Sequence, residues 1–518
     1  MRHPMLLAST VALAVLGPAV SAAGAMTGYT LVQLRAGAAC SGAATLAAAG
    51  ATPVARELRL WRLPSAEAER VLPALHRRGA VRLAEPDRPL ASIDAVAGAR
   101  VDPLSGEEWW RAAVRVEGLT PPGPGVPVTV VDSGIDVSHP EFAGRPNTVV
   151  LNQQEPVGIG GEHGTAVASL VAAPENGVGM VGIYPQVLLA SWDAARGAGT
   201  RLDTSEIVGG IVAAARRAPG VINLSLGGTE KDILVQQAVG FAIAKGSLVV
   251  AASGNDGEVG SPLGYPAVLP HVLTVAATDR NDNVASFSSR SPYVDLAAPG
   301  TNVTVATALG RGWRPSAGTS FSAPLVSGAA AWVWTARPEL DWSQVFEVMR
   351  RSARDLDTTG RDGASGFGML DVGAALAFAA PIRDPLEPNE DVDYIDAEGL
   401  YAAGVAPLTT LALPTTTATA RVGGVEDPRD VYRVYLPRGR QLVVTANADA
   451  DVDLALWRKG TQSVVQRFAS RDRLARAATQ GQREVLRYRN AAPGRIAWLA
   501  VIPRRGTEGA YRLTVRVR

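Results

Sequence analysis

Val128-Thr129-Val130-Val131-Asp132-Ser133-Gly134-Ile135-Asp136 is a largely apolar run that stops at a carboxylate. A run of this kind reads as a strand buried on both faces, the signature of a parallel sheet. Similar runs recur at 187–192, 221–226, 248–252 and 272–277, with helix-length stretches at 205–217 and 231–245 between them. This alternation predicts an α/β fold, a doubly wound and mostly parallel sheet, over residues 101–380. Ligands of such sheets lie beyond the carboxyl ends of the strands, which is where Asp132 stands.

The 518 residues carry 50 Lys+Arg against 49 Asp+Glu, are 47% hydrophobic and contain one Cys. These values exclude a disordered, collagen-like or disulfide-stapled chain. The length suits roughly two to four domains. A formal net charge of +1 speaks against nucleic acid or an anionic membrane as the main partner. Lys231, Lys245 and Lys459 are the only lysines. The basic charge is therefore almost all Arg, which reads as composition and not as function. Cys40 has no second Cys to pair with and is expected to be a small buried apolar residue.

Arg2 and His3, the apolar stretch 5–16, Pro18 and the small residues of 20–25 predict a secretory signal peptide over 1–25, and hence export, extracellular or periplasmic. No later stretch reaches the roughly 18 apolar residues of a membrane helix, so no transmembrane segment is expected. Residues 26–100 predict a small α+β unit: a strand at 29–35, an Ala-rich helix, a strand at 58–63, a helix capped by Ser65 and ending near Gly79, and a strand leading into Glu85-Pro86-Asp87. Residues 381–396, rich in Pro and acids, predict a linker, with the acids of 387–398 a solvated spacer. Short alternating runs at 430–436, 441–445, 453–457, 496–501 and 511–517 predict an all-β sandwich over 397–518. The Thr-rich 415–419 reads as a loop or an edge.

Three polar residues stand where packing alone does not call for them. Asp132 ends a buried strand, His163 opens a helix in Gly161-Glu162-His163-Gly164-Thr165, and Ser320 opens another in Gly318-Thr319-Ser320-Phe321-Ser322-Ala323-Pro324. A serine hydroxyl becomes a nucleophile when an imidazole takes its proton, and a buried carboxylate fixes the tautomer of that imidazole. His139 is a rival base, but it precedes Pro140 in a loop. Ser322 is a rival nucleophile, but two helix positions differ by about 200°, so only one of the pair faces a site.

The chain order Asp, His, Ser and the segments around these residues resemble those of the subtilisin-like serine proteases, the subtilases. The resemblance extends over Asn223-Leu224-Ser225-Leu226-Gly227-Gly228, Ala252-Ser253-Gly254-Asn255, Gly264-Tyr265-Pro266 and Gly366-Phe367-Gly368-Met369. It implies a secreted serine endopeptidase with Asp132, His163 and Ser320 as the triad, and Asn255 with the Ser320 N–H as the oxyanion hole. Ser225, Leu226, Gly227, Ser253, Gly254 and Gly264 would bind substrate, with large apolar side chains preferred before the cut. Polypeptides are the implied substrates and a monomer the implied state. Residues 26–100 resemble a subtilase propeptide, which implies a zymogen whose propeptide is an intramolecular inhibitor. Residues 384–518 resemble the bacterial prepeptidase C-terminal domain, through Glu387-Pro388-Asn389, Asp430-Val431-Tyr432 and Gly509-Ala510-Tyr511. No cofactor is implied for the chemistry. A structural calcium ion is left open, with Glu141 and Asn176 as candidate ligands beside the loop 174–180.

Two motifs are set aside. Gly177-Val178-Gly179-Met180-Val181-Gly182 has the spacing of a nucleotide loop but follows no strand and opens no helix. Gly318-Thr319-Ser320-Phe321-Ser322 lacks the last glycine of the α/β-hydrolase elbow. No Cys/His group has zinc-ligand spacing. A non-catalytic secreted scaffold or binding protein and an exported esterase stand as the alternative functions.

Overall fold

The computed structural model describes residues 28–518 apart from 88, 93–107, 153–161, 196–200, 310–311, 385, 402–403, 424–425, 466–468 and 505–506. The signal expected over 1–25 lies outside the described residues, as does the boundary expected near 101.

The N-terminal unit is a four-stranded antiparallel sheet, β1 (Tyr29–Leu34), β2 (Thr52–Ala55), β3 (Leu60–Pro64) and β4 (Val81–Pro86), with α1 (Ala39–Ala48) and α2 (Ser65–Arg77). Val32, Leu34, Leu46, Leu63, Val71 and Leu75 make its own small core. Two readings of the sequence need correction here. Ser65 is the first helical residue, not the cap, and its hydroxyl bonds that of Thr30 at 3.1 Å. Cys40 is exposed, because α1 turns it away from that core.

The chain then forms β5 (Pro89–Ser92) and α3 (Trp110–Ala113) and enters the large α/β region. Its central sheet is parallel and seven-stranded, built from β6 (Val128–Asp132), β7 (Thr148–Asn152), β8 (Leu189–Asp193), β10 (Gly220–Leu224), β12 (Ser247–Ala252), β13 (Val272–Thr278) and β14 (Leu296–Pro299). The spatial order is β14-β13-β12-β10-β6-β8-β7. Later strands build outward on the β10 side and β8 and β7 on the other, so the order reverses at β6. Helices α4 (Glu162–Ala172), α5 (Thr204–Ala215), α6 (Ile233–Ala244), α7 (Thr319–Ala336), α8 (Trp342–Arg351) and α9 (Val372–Ala377) cover the sheet. Every residue of β6, β10, β12, β13 and β14 is buried, as apolar runs covered on both faces must be. Short β9 (Arg201–Asp203) and β11 (Leu226–Gly227) flank β5, and β15 (Val303–Ala306) pairs with β16 (Trp313–Ser316).

After α10 (Val392–Ile395) comes a two-sheet antiparallel sandwich. One sheet is β17 (Thr415–Gly423), β24 (Glu508–Val517), β19 (Gln441–Ala448) and β22 (Arg483–Arg489). The other is β18 (Asp430–Leu436), β23 (Arg495–Pro503), β20 (Val452–Arg458) and β21 (Arg473–Ala477). The Thr-rich stretch is thus part of β17, an edge strand.

The expected solvated spacer is largely buried, and only its end at Ala397 and Glu398 is exposed. Asp384, Asn389 and Glu390 are buried, and α10 helps to cover one outer face of the sandwich. His271, between β12 and β13, forms an ion pair with Glu390 and lies 3.2 Å from the Glu387 carboxylate. Burial works against the charge on His271, but Glu390 together with Asp427 and Glu426 more than offsets it and raises its pKa to about 9. A few residues away, buried Arg350 of α8 reaches Glu347 at 2.6 Å, Asp295 at 3.5 Å and Glu508 of β24 at 3.4 Å. Removing that cation takes the guanidinium from the buried Asp295 carboxylate, whereas the Glu347 and Glu508 carboxylates keep Arg351. Arg350→Met is expected to lower stability by about 3 kcal/mol, read as a lower midpoint of thermal unfolding; an unchanged midpoint would mean that Arg350 is not needed to balance Asp295.

Candidate active site

β6 delivers Asp132 fully buried at its carboxyl end. The carboxylate accepts the Ser133 N–H at 2.7 Å, and both its oxygens lie close to His163 Nδ1, at 2.8 and 2.9 Å. His163 is the second residue of α4 and is 5% exposed. The approach of α4 to the β6 turn depends on Gly164: a Cβ there would sit 2.1 Å from the Gly134 carbonyl oxygen. The Gly164 N–H donates to Ser133 Oγ at 3.0 Å, which ties the same two elements together.

Ser320 is the second residue of α7, also fully buried, and its hydroxyl lies 3.3 Å from the Ser225 carbonyl oxygen. Gly318 precedes the helix with φ 150°, outside the range side-chain-bearing residues prefer. Phe321 packs against the His163 ring, centroids 5.8 Å apart, so the imidazole and the start of α7 face one cleft. The helix N-terminus adds a positive dipole end where negative charge would develop. Asn255 follows β12, and its Oδ1 accepts both the N–H and the hydroxyl of Thr319, each at 3.0 Å. Those two donors identify the oxygen end of the amide, which leaves Nδ2 as its donating end.

Ser225 is buried directly before β11, and its hydroxyl donates to the Ser320 carbonyl at 2.8 Å. Gly254 has φ 107° and donates its N–H to Thr319 Oγ1 at 3.2 Å. Gly264 has the Ser253 carbonyl oxygen 3.3 Å from where a Cβ would stand, so a side chain there would narrow this wall. The rivals lie elsewhere: His139 bonds the Gly312 carbonyl through Nε2, and Ser322 donates to the Pro299 carbonyl.

Residues 123–368 match the model of the subtilase family. Subtilisin BL of Lederbergia lenta is 36% identical over 263 residues, covering 51% of this chain and 94% of that protein. The chain belongs to the subtilase family. By class it is a subtilisin-like serine endopeptidase. Subtilisin E of Bacillus subtilis (strain 168) is 35% identical over 266 residues, 51% of this chain and 68% of that protein. The minor extracellular protease Epr of the same organism is 32% identical over 280 residues, 54% of this chain but 42% of Epr, so less than half of Epr is matched. The crystal structure of fervidolysin from Fervidobacterium pennivorans, a keratinolytic enzyme related to subtilisin, shares the fold, with a TM-score of 0.56, 20% identity, and coverage of 89% of this chain and 69% of that one.

Three features of this subtilase escape a reading of the sequence. Thr319 orients Asn255. Asn223 links the Ser225 hydroxyl to that of Ser327, at 2.9 Å each, in a buried chain that ends on the Ser320 backbone. Glu108 is the third: its carboxylate accepts the Val181 N–H at 2.7 Å and adds like charge to Glu141. Glu141 Oε1 accepts the Met180 N–H and the Trp313 indole N–H, while its Oε2 is buried without a hydrogen bond. Burial pushes both carboxyls up to about 7. A hard cation suits that pair. Asn176, by contrast, is exposed and spends its side-chain oxygen on the Val178 N–H. Away from the cleft, His271, Glu387 and Glu390, and likewise Asp384, Glu387 and Asp430, hold one ligand-type atom each within 4.8 Å of one another.

If the Asn255 amide stabilises an oxyanion, Asn255→Ala is expected to keep the fold and cut kcat by about a hundredfold to a thousandfold, the loss seen when such a donor is removed from a subtilisin. Circular dichroism and peptide hydrolysis measure the two, and near-normal kcat would take Asn255 out of the mechanism.

Proposed function

We propose that the chain is an exported endopeptidase made as a zymogen. Ser320 attacks a peptide carbonyl, His163 takes its proton and later returns it to the leaving amine, and Asp132 holds the imidazole. The Ser320 N–H and Asn255 Nδ2 receive the oxyanion, and water then releases the acyl-enzyme. Export rests on the leader-like 1–25 and on the likeness to a protease named as extracellular. The β-sandwich is read as an accessory module and the enzyme as a monomer.

The observation that carries this reading is β5. Its backbone runs antiparallel along β11, with Ala91 opposite Gly227 and Ser92 opposite Leu226, and pairs on its other side with β9. The next residue along the β11 edge is Ser225, whose carbonyl lies beside the Ser320 hydroxyl. A groove that takes an extended chain as a third strand is built for polypeptide, which favours a peptidase over the esterase and the scaffold. The rest of the N-terminal unit is anchored behind this strand. Asp87 accepts the N–H and hydroxyl of Ser205 at the start of α5 and pairs with Arg62 at 2.8 Å, while Gln33 bonds Gln237 of α6 at 2.6 Å.

Expression of the wild type and Ser320→Ala tests the reading. The wild type is expected to lose its N-terminal unit by a cut beyond Ser92, within or next to 93–107, and to hydrolyse casein. The variant should keep its full length after any leader is removed and leave casein intact. Equal masses and no hydrolysis by either protein would favour the scaffold, and hydrolysis of a simple ester but not casein the esterase.

We further propose a structural calcium ion at Glu108 and Glu141, supported by the unspent Glu141 oxygen. A chelator is then expected to lower the unfolding midpoint of the wild type more than that of Glu141→Gln. An equal shift in both would refute the site.

A further inference from the structure

The sandwich has two outer faces with different fates. One is packed under α10 and the segment before it. The other, on the sheet β17-β24-β19-β22, meets α8 only at the Glu508 end of β24, and its remaining outward positions carry an unusual set of side chains. Arg483, Arg487 and Arg489 point out from β22, and Arg512, Arg516 and Arg518 from β24 and the residue after it. All six are exposed, and none of them makes an ion pair or a side-chain hydrogen bond with the described residues. Between 415–419, 441–447, 483–489 and 512–518 the outward positions include no carboxylate; Glu484 points inward, where it accepts the N–H and hydroxyl of Thr479.

The register turns these residues into a grid. Arg487 and Arg516 are both opposite Val443, Arg483 and Arg512 are both opposite Asn447, and Arg489 and Arg518 flank Gln441. Two strand spacings separate the members of each pair by about 10 Å, and successive outward positions along a strand are about 7 Å apart. Between the charges lie hydroxyl and amide groups, Thr445, Thr514, Asn447 and Gln441, which line one depression together with Arg483, Arg487, Arg516 and Arg518.

We infer that this face binds an acidic polysaccharide. Guanidinium groups take carboxylate or sulfate in paired hydrogen bonds, and the Thr, Asn and Gln side chains between them suit sugar hydroxyls. The face has no outward aromatic residue on which bases could stack, which disfavours single-stranded nucleic acid. Val443 and Val485 are its only outward apolar side chains, too few to anchor a protein partner. Six of the Arg residues, which read along the sequence as mere composition, are here gathered on one surface, with the exposed carboxylates Asp449 and Glu508 set apart at one end of its strands. A net charge of +1 for the whole chain does not weaken a local field of this kind.

The test uses the full chain with Ser320→Ala, which prevents self-digestion. Binding to heparin, polygalacturonate, neutral dextran and double-stranded DNA is measured by titration calorimetry at about 150 mM salt, where the screening length is about 8 Å. Binding to heparin, polygalacturonate or both is expected, and the two arms separate sulfate from carboxylate recognition. Arg487→Gln with Arg516→Gln should weaken it on the order of tenfold. The charge-matched control Arg217→Gln with Lys459→Gln should leave it unchanged. The inference is overturned by no binding to either acidic polymer, by equal losses in the two double variants, or by tighter binding to DNA or dextran than to both.

Discussion

Asp132 is a charge placed where water does not reach, and the catalytic region is arranged around answering it. A buried carboxylate is costly unless donors meet it. Here they are the neighbouring N–H of Ser133 and the imidazole of His163. Both arrive because a parallel sheet puts the ends of its strands and the starts of its helices at one edge. Gly164 lets α4 come near enough for the contact. The same edge receives Ser320 at the start of α7, fastened from behind by the buried chain Ser327, Asn223 and Ser225. Ser320 thus stands on a long helix whose register is set by packing and by polar contacts, not on a free loop.

The parallel sheet was legible because its strands are buried on both faces and therefore apolar without interruption. β7 was not, since its residues are only partly buried and it closes the edge of the sheet. In the sandwich, β18, β19 and β24 alternate and β20 and β23 are largely apolar, whereas β22 reads as hydrophilic because three of its four outward positions are Arg. Asp132, His163 and Ser320 stood out one by one as polar residues at element ends. Thr319, Asn223 and Glu108 did not, because their roles depend on partners far away in sequence.

The misreadings share one cause. Local pattern reports burial only through apolar residues. The acid-rich stretch before α10 looked solvated, yet Asp384, Asn389 and Glu390 are inside, with His271 supplying a compensating charge from the α/β region. Cys40 is the reverse case, a residue type usually found inside that α1 turns outward. Arg350 belongs with the buried acids: its contacts on α8, just before β14 and on β24 join the α/β region to the sandwich by a charge that neither segment announces by itself.

The strand β5 has a kinetic meaning as well as a structural one. Held by its own chain between β9 and β11, it has an effective concentration on the order of millimolar, set by the tether and not by the surroundings. Free polypeptide at micromolar levels would compete with it poorly. If the strand is the inhibitor proposed above, its release is governed within each molecule, so that dilution would neither delay nor hasten the event.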